Sequence, residues 1–84
     1  MNRTDVTYGQ LDKALRSLGF TRRTTEADPP AHVYDHETGA SIMVPPFPED
    51  DHVLEWHLVT ARVMLDEYGI ADPTAFDARL KKAG

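Results

Sequence analysis

The sequence predicts an α+β domain of two layers, a three-stranded antiparallel sheet with helices packed on one face. Three observations predict it. Leu11, Ala14, Leu15 and Leu18 recur at helical spacing and run into Gly19-Phe20. Two strand-like segments, 31–36 and 40–44, flank the short loop Glu37-Thr38-Gly39. A long apolar-rich helical segment then ends on Gly69-Ile70. The expected order is α-β-β-β-α, with a short C-terminal helix added.

The first helix opens on a capping box. Thr7 is followed three residues later by Gln10, so each side chain can satisfy a backbone N–H that has no partner within the helix. Gly19 suits the left-handed position after the helix, and Phe20 can then fold back on Leu15 in a Schellman ending. Residues 20–26 read as a strand rich in Thr and Arg, stopped by Asp28-Pro29-Pro30. In the next strand, Val33 and Asp35 point one way and His32, Tyr34 and His36 the other. In the third, Ala40, Ile42 and Val44 share a face, with Ser41 and Met43 opposite. Pro45, Pro46 and Pro48 end it, because proline cannot donate to a ladder. Asp50 or Asp51 is expected to cap the second long helix, which runs to about Tyr68 and repeats the glycine ending at Gly69-Ile70. Asp72-Pro73 is an N-cap followed by Pro at the first helical position. It opens the last helix, with Phe76 and Leu80 one turn apart and Lys81 and Lys82 at its end.

Eighty-four residues make one domain, 1–84, with a core over about 7–70 and a terminal helix over about 72–82. A chain of this size buries roughly 60% of the surface it exposes when unfolded, enough for one core and no deep two-lobed pocket. With no cysteine, disulfides and thiolate metal sites are excluded. No apolar run approaches the roughly 18 residues of a membrane span, and Met1 to Val6 is polar, without the apolar stretch of a signal peptide. A cytoplasmic location is expected. Fourteen acidic against nine basic residues give a formal charge of −5, a poor balance for generic nucleic-acid binding, which rests on neutralising phosphates with Lys and Arg.

Chemistry concentrates in His32-Val33-Tyr34-Asp35-His36. A histidine near its ordinary pKa of about 6.5 can take a proton from a ribose 2′-hydroxyl or give one to a leaving oxygen, so His32 is the candidate acid/base group. The alternative is a half-exposed strand histidine paired with a carboxylate or water. Tyr34 could stack a base, or cover sheet surface. Lys13, Arg16, Arg22 and Arg23 are the place where cations concentrate, and they can hold phosphate or pair with Glu26 or Asp12. His32 and His36 stand roughly 13 Å apart by strand rise, too far for a shared metal. His52 and His57 point in different directions, with His57 on the apolar side of its helix as a core histidine. No metal site and no cofactor are expected. Trp56, Val59 and Val63 lie beyond the arc that faces the sheet, which marks a surface for a protein partner or a second copy of the chain.

Taken together, Leu11 to Leu18 with Gly19-Phe20, His32-Val-Tyr-Asp-His36, Gly39, Ile42-Met-Val-Pro45 and Gly69-Ile70 resemble the HicA/YcfA-like toxin family over about residues 7–70. The resemblance implies a fold like that of double-stranded-RNA-binding domains. It also implies metal-independent cleavage of single-stranded mRNA and an antitoxin partner that covers the site. The family's catalytic His begins the second strand, usually after Gly-Ser or Gly-Gly. Here Pro30-Ala31 precedes His32, and the family position falls on Ala31 or His32 depending on one gap. After the strand-three proline, where the family tends to carry basic or His residues, this chain has Glu49-Asp50-Asp51. The competing expectation is a non-catalytic binding or self-associating module that keeps the same fold.

Overall fold

A computed structural model of the chain describes residues 3–26 and 30–83. The elements run β1 (Arg3–Thr7), α1 (Tyr8–Ser17), β2 (Thr21–Thr24), β3 (His32–Asp35), β4 (Ser41–Val44), β5 (His52–Leu54), α2 (Glu55–Glu67) and α3 (Pro73–Ala83). The fold is α+β: β2, β3 and β4 form an antiparallel sheet in sequence order, β1 and β5 form a two-stranded antiparallel sheet, and α3 closes the chain. The central order α1-β2-β3-β4-α2 is the expected one. The break expected at Asp28-Pro29 lies outside the described residues.

Helix α1 is built by its ends. Thr7 accepts from the Gln10 backbone N–H at 3.2 Å, and Gln10 Oε1 accepts from the Thr7 N–H at 2.9 Å. At the other end Gly19 has φ +96°, Phe20 N–H donates to Leu15 O (3.1 Å) and Gly19 N–H to Arg16 O (3.0 Å), the two bonds of a Schellman ending. A Cβ at Gly19 would stand 3.2 Å from His36 Nε2, so a side chain there is opposed by both backbone and neighbour. Helix α2 ends the same way, with Ile70 N–H on Leu65 O at 2.9 Å. Asp72 caps α3, its carboxylate accepting from the Ala75 N–H at 2.8 Å.

One expectation is corrected, and one strand pair lies beyond the sequence pattern. Asp50 and Asp51 do not cap α2. The helix starts at Glu55 after Leu54, with no side-chain cap, because residues 52–54 are drawn into a strand. That strand pairs with β1, a segment that sequence patterning leaves unassigned, in a register that joins Arg3 to Leu54 and Thr7 to His52. β1 is mostly polar and β5 is only three residues long, so neither carries an apolar alternation of its own. What fixes them is tertiary. Thr4 Oγ1 donates to Val53 O (3.0 Å), His52 Nδ1 lies 2.7 Å from Thr4 O, and Val53 is fully buried.

One core fills the space between the sheet and the helices. It joins Tyr8, Leu11, Ala14 and Leu15 of α1, Tyr34, Ile42 and Val44 of the sheet, Val53 of β5, Leu58, Ala61 and Leu65 of α2, and Phe76 and Leu80 of α3. Helix α3 lies along α1, where Gln10 Nε2 donates to Leu80 O at 3.2 Å. It is tied to α2 by Arg62, whose guanidinium donates twice to Asp77 Oδ1, at 2.8 and 3.2 Å.

Candidate functional site

The sheet's inner face carries the residues that sequence reading put forward for chemistry. Strand register sets Tyr34 opposite Ile42 and Arg22, and His32 opposite Val44 and Thr24. Directly opposite residues share a face, so His32 and Tyr34 point with Ile42 and Val44 toward the helices. Tyr34 is 4% exposed. Its hydroxyl donates to Asp12 Oδ1 at 2.8 Å. Burial, then the hydrogen bond and charge of Asp12, push the phenol's pKa far up, and Arg22 only partly offsets them. Of the two roles open to it, Tyr34 covers sheet surface and presents no open ring face to a base.

His32 is half-buried. Its Nδ1 is buried without a hydrogen-bond partner among the described residues. It borders a small cavity of about 30 Å³ shared with Tyr8, Asp12, Arg22, Tyr34, Phe47 and Glu49. That volume is the share of a single water molecule in the liquid. A ribose does not enter it, so acid/base work by His32 on an RNA strand is confined to the ring's outward edge.

Asp12 is the hub that the sequence hinted at. Besides Tyr34 it accepts from Arg16 Nε at 3.1 Å across one helical turn and from Arg22 Nη1 at 3.3 Å, with its own side chain 15% exposed. Arg23 points to the opposite sheet face and binds Asp35 at 2.6 Å, and Ser41 donates to the same carboxylate. The hydrogen bond from Arg23 holds the Asp35 carboxyl below the usual range. Of the four expected phosphate ligands, Arg16, Arg22 and Arg23 are thus engaged by carboxylates on two different faces. Lys13 stands apart from them, beside α3. The four cations are not brought to one surface, and Arg16 and Arg22 take the pairing with Asp12 that stands as the alternative to holding phosphate.

The remaining histidines are structural. His36 packs against Phe20 in a tilted ring contact, with centroids 4.8 Å apart. Its Nδ1 accepts from the Thr38 N–H at 3.2 Å, which leaves the proton on Nε2 to bond Leu18 O at 3.1 Å and close the end of α1. His57 is 6% exposed, packed against Trp56 at a centroid distance of 4.0 Å. The Leu54 N–H donates to the Tyr8 hydroxyl oxygen (3.4 Å), which leaves the phenolic proton for His57 Nδ1 at 3.0 Å. Burial pushes the His57 pKa down, so the ring is neutral at pH 7.

This buried neutral ring gives an acid limit to stability. A depressed folded-state pKa means that the stability is fully present above the unfolded value of about 6.5 and drains away as pH falls through the folded value. Melting temperature measured against pH is expected to fall below pH about 6.5, and His57→Phe is expected to flatten that slope while lowering stability at neutral pH.

Trp56, Val59 and Val63 are 51, 46 and 50% exposed on the side of α2 away from the core. At 3.6 residues per turn they make one stripe, bounded by Glu55 and Asp66 on one side and Glu67 on the other. Among the described residues no group of three or more His, Asp or Glu is placed to hold a metal ion, and no helix is long and apolar enough to cross a membrane. Comparison of the chain with protein-family models, curated proteins and solved structures returns no match.

Proposed function

We propose that this chain is a non-catalytic binding module on a HicA-like framework, and that it docks a protein partner through the outer face of α2. The observation that carries this reading is the stripe of Trp56, Val59 and Val63, each about half exposed and lying side by side on a helix whose other side is already buried. Large contiguous apolar exposure on a small domain marks an interface, and tryptophan is a favoured anchor there. The rim of Glu55, Asp66 and Glu67, on a chain of charge −5, sets two copies against each other. The favoured partner is therefore another protein with an apolar face and a basic border, the kind of role an antitoxin has in the family that the sequence resembles. A homodimer through this face is disfavoured by its own charge.

Peptides selected from a random display library against the purified chain are expected to combine aliphatic anchors with Lys or Arg and to shift the emission of Trp56, the single tryptophan. Trp56→Ser with Val63→Ser is expected to weaken them by about 30-fold, the loss of one interface hot spot of about 2 kcal/mol. Selected binders indifferent to both substitutions would refute the docking face.

A second reading is the endoribonuclease itself, working on mRNA. It is favoured by the α-β-β-β-α order and by the half-exposed His32 at the start of β3. If it holds, purified chain cuts single-stranded RNA in the presence of a chelator, expression arrests growth, and His32→Ala lowers the cleavage rate by about 10²–10⁴. The binding-module reading expects no cleavage above background by either protein.

A further inference from the structure

The charge map of the fold has one place that the acidic composition does not predict. Lys13 and Ser17, one turn apart on α1, face Arg79 and Lys82, three apart on α3, across a surface groove of about 280 Å³ closed at one end by Ala83. Residues four apart and three apart on a helix share a side, so the two packed helices bring three cations and a hydroxyl to one strip. Among the described residues no carboxylate lines this groove. Elsewhere Arg16 and Arg22 pair with Asp12, Arg23 with Asp35 and Arg62 with Asp77, while Arg3 and Lys81 form no ion pair among the described residues. Among the described residues Lys13, Arg79 and Lys82 take part in no ion pair.

Three cations around one groove repel one another, and only Lys13 also borders carboxylates, those of Asp12, Glu49 and Asp50 in the neighbouring groove. The cost falls away when an anion with several charged oxygens lies between them. The hydroxyl of Ser17, already donating to Ala14 O at 2.7 Å, keeps its lone pairs for donors and adds no negative charge. Two ammonium groups give point charges, and the Arg79 guanidinium gives a planar fork suited to two oxygens of one phosphate.

We propose that the α1–α3 groove is a binding site for the phosphate groups of a polyanion, held by Lys13, Arg79 and Lys82. It lies on a different surface from the Trp56 stripe and does not depend on the partner assigned there. Free oligophosphate and the backbone of a single-stranded nucleic acid offer the same chemistry, and the test separates them.

Thermal melting and heteronuclear NMR titration of the full chain, with tripolyphosphate in one arm and a short oligouridylate in the other, measure the site. The expected result is a rise in melting temperature with saturable shifts confined to α1 and α3, in one arm or both. Affinity is expected to fall by about 20-fold between about 50 and 200 mM salt for a strand engaging three cations. Lys13→Gln with Arg79→Gln and Lys82→Gln is expected to abolish the response, while Lys81→Gln, which removes one positive charge from outside the groove, leaves it intact. A response to tripolyphosphate alone assigns terminal phosphates, and one to oligouridylate assigns a strand. Absence of shifts at α1 and α3 with both probes, or equal loss in Lys81→Gln, overturns the proposal. The wild-type NMR arm decides it even if the triple variant fails to fold.

Discussion

Phe76→Ala is expected to lower the unfolding free energy by about 3–5 kcal/mol, the usual cost of deleting a fully buried aromatic ring. The side chain is 0% exposed and belongs to the single core. Helix α3 is only eleven residues long, below the length at which an isolated helix holds its shape in water. It is kept helical by Phe76 and Leu80 in the core, by Gln10 on Leu80 O and by Arg62 on Asp77. The substitution empties the larger of its two apolar anchors. Urea denaturation would read the loss as a lower midpoint at an unchanged slope. A loss below about 1 kcal/mol would mean that α3 lies loosely on the domain rather than completing it.

Asp12→Ala is expected to cost about 2–4 kcal/mol, most of it from the buried Tyr34 hydroxyl left without an acceptor and the rest from Arg22. The Arg16 contact adds little, because Arg16 is half exposed and screened. The hub can be separated into its parts. Asp12→Asn keeps an oxygen for Tyr34 and loses the charge that faces two guanidinium groups, so it should fall between wild type and Asp12→Ala. Tyr34→Phe removes the buried donor along with the need for an acceptor. In a double-mutant cycle the pair Asp12→Ala and Tyr34→Phe is expected to cost less than the sum of the single losses by about 1 kcal/mol or more. Strict additivity would show that Asp12 serves the arginines alone.

How much of this was legible depends on whether the signal was local. The capping box at Thr7 and Gln10 and the Gly19-Phe20 ending each sit within a few residues, and the structure contains both. The same holds for Asp72-Pro73 and for the long helix ending at Gly69-Ile70. The ladder between β1 and β5 was not legible, because its partners lie about fifty residues apart and neither shows alternation. The facing of β3 was a missed inference. The loop over residues 37–39, closed by His36 N–H on Ala40 O, fixes a register in which Tyr34 meets Ile42. Since Ile42 and Val44 were already read as one apolar face, His32 and Tyr34 had to share it. The role of Asp12 lay between the two kinds of signal. Its pairing with Arg16 follows from helical spacing, whereas Arg22 and Tyr34 reach it only when the sheet packs under α1.

The sheet order β2-β3-β4 leaves two strand rims with unsatisfied backbone groups, and such rims are where foreign strands add on and fibrils start. Each is blunted by its own residues. The β2 rim is a four-residue strand carrying Arg22 and Arg23, one on each face. The β4 rim runs for four residues and stops at Pro45-Pro46, which have no N–H to offer an incoming chain. The domain can therefore keep a half-exposed tryptophan on its surface without inviting edge-to-edge aggregation.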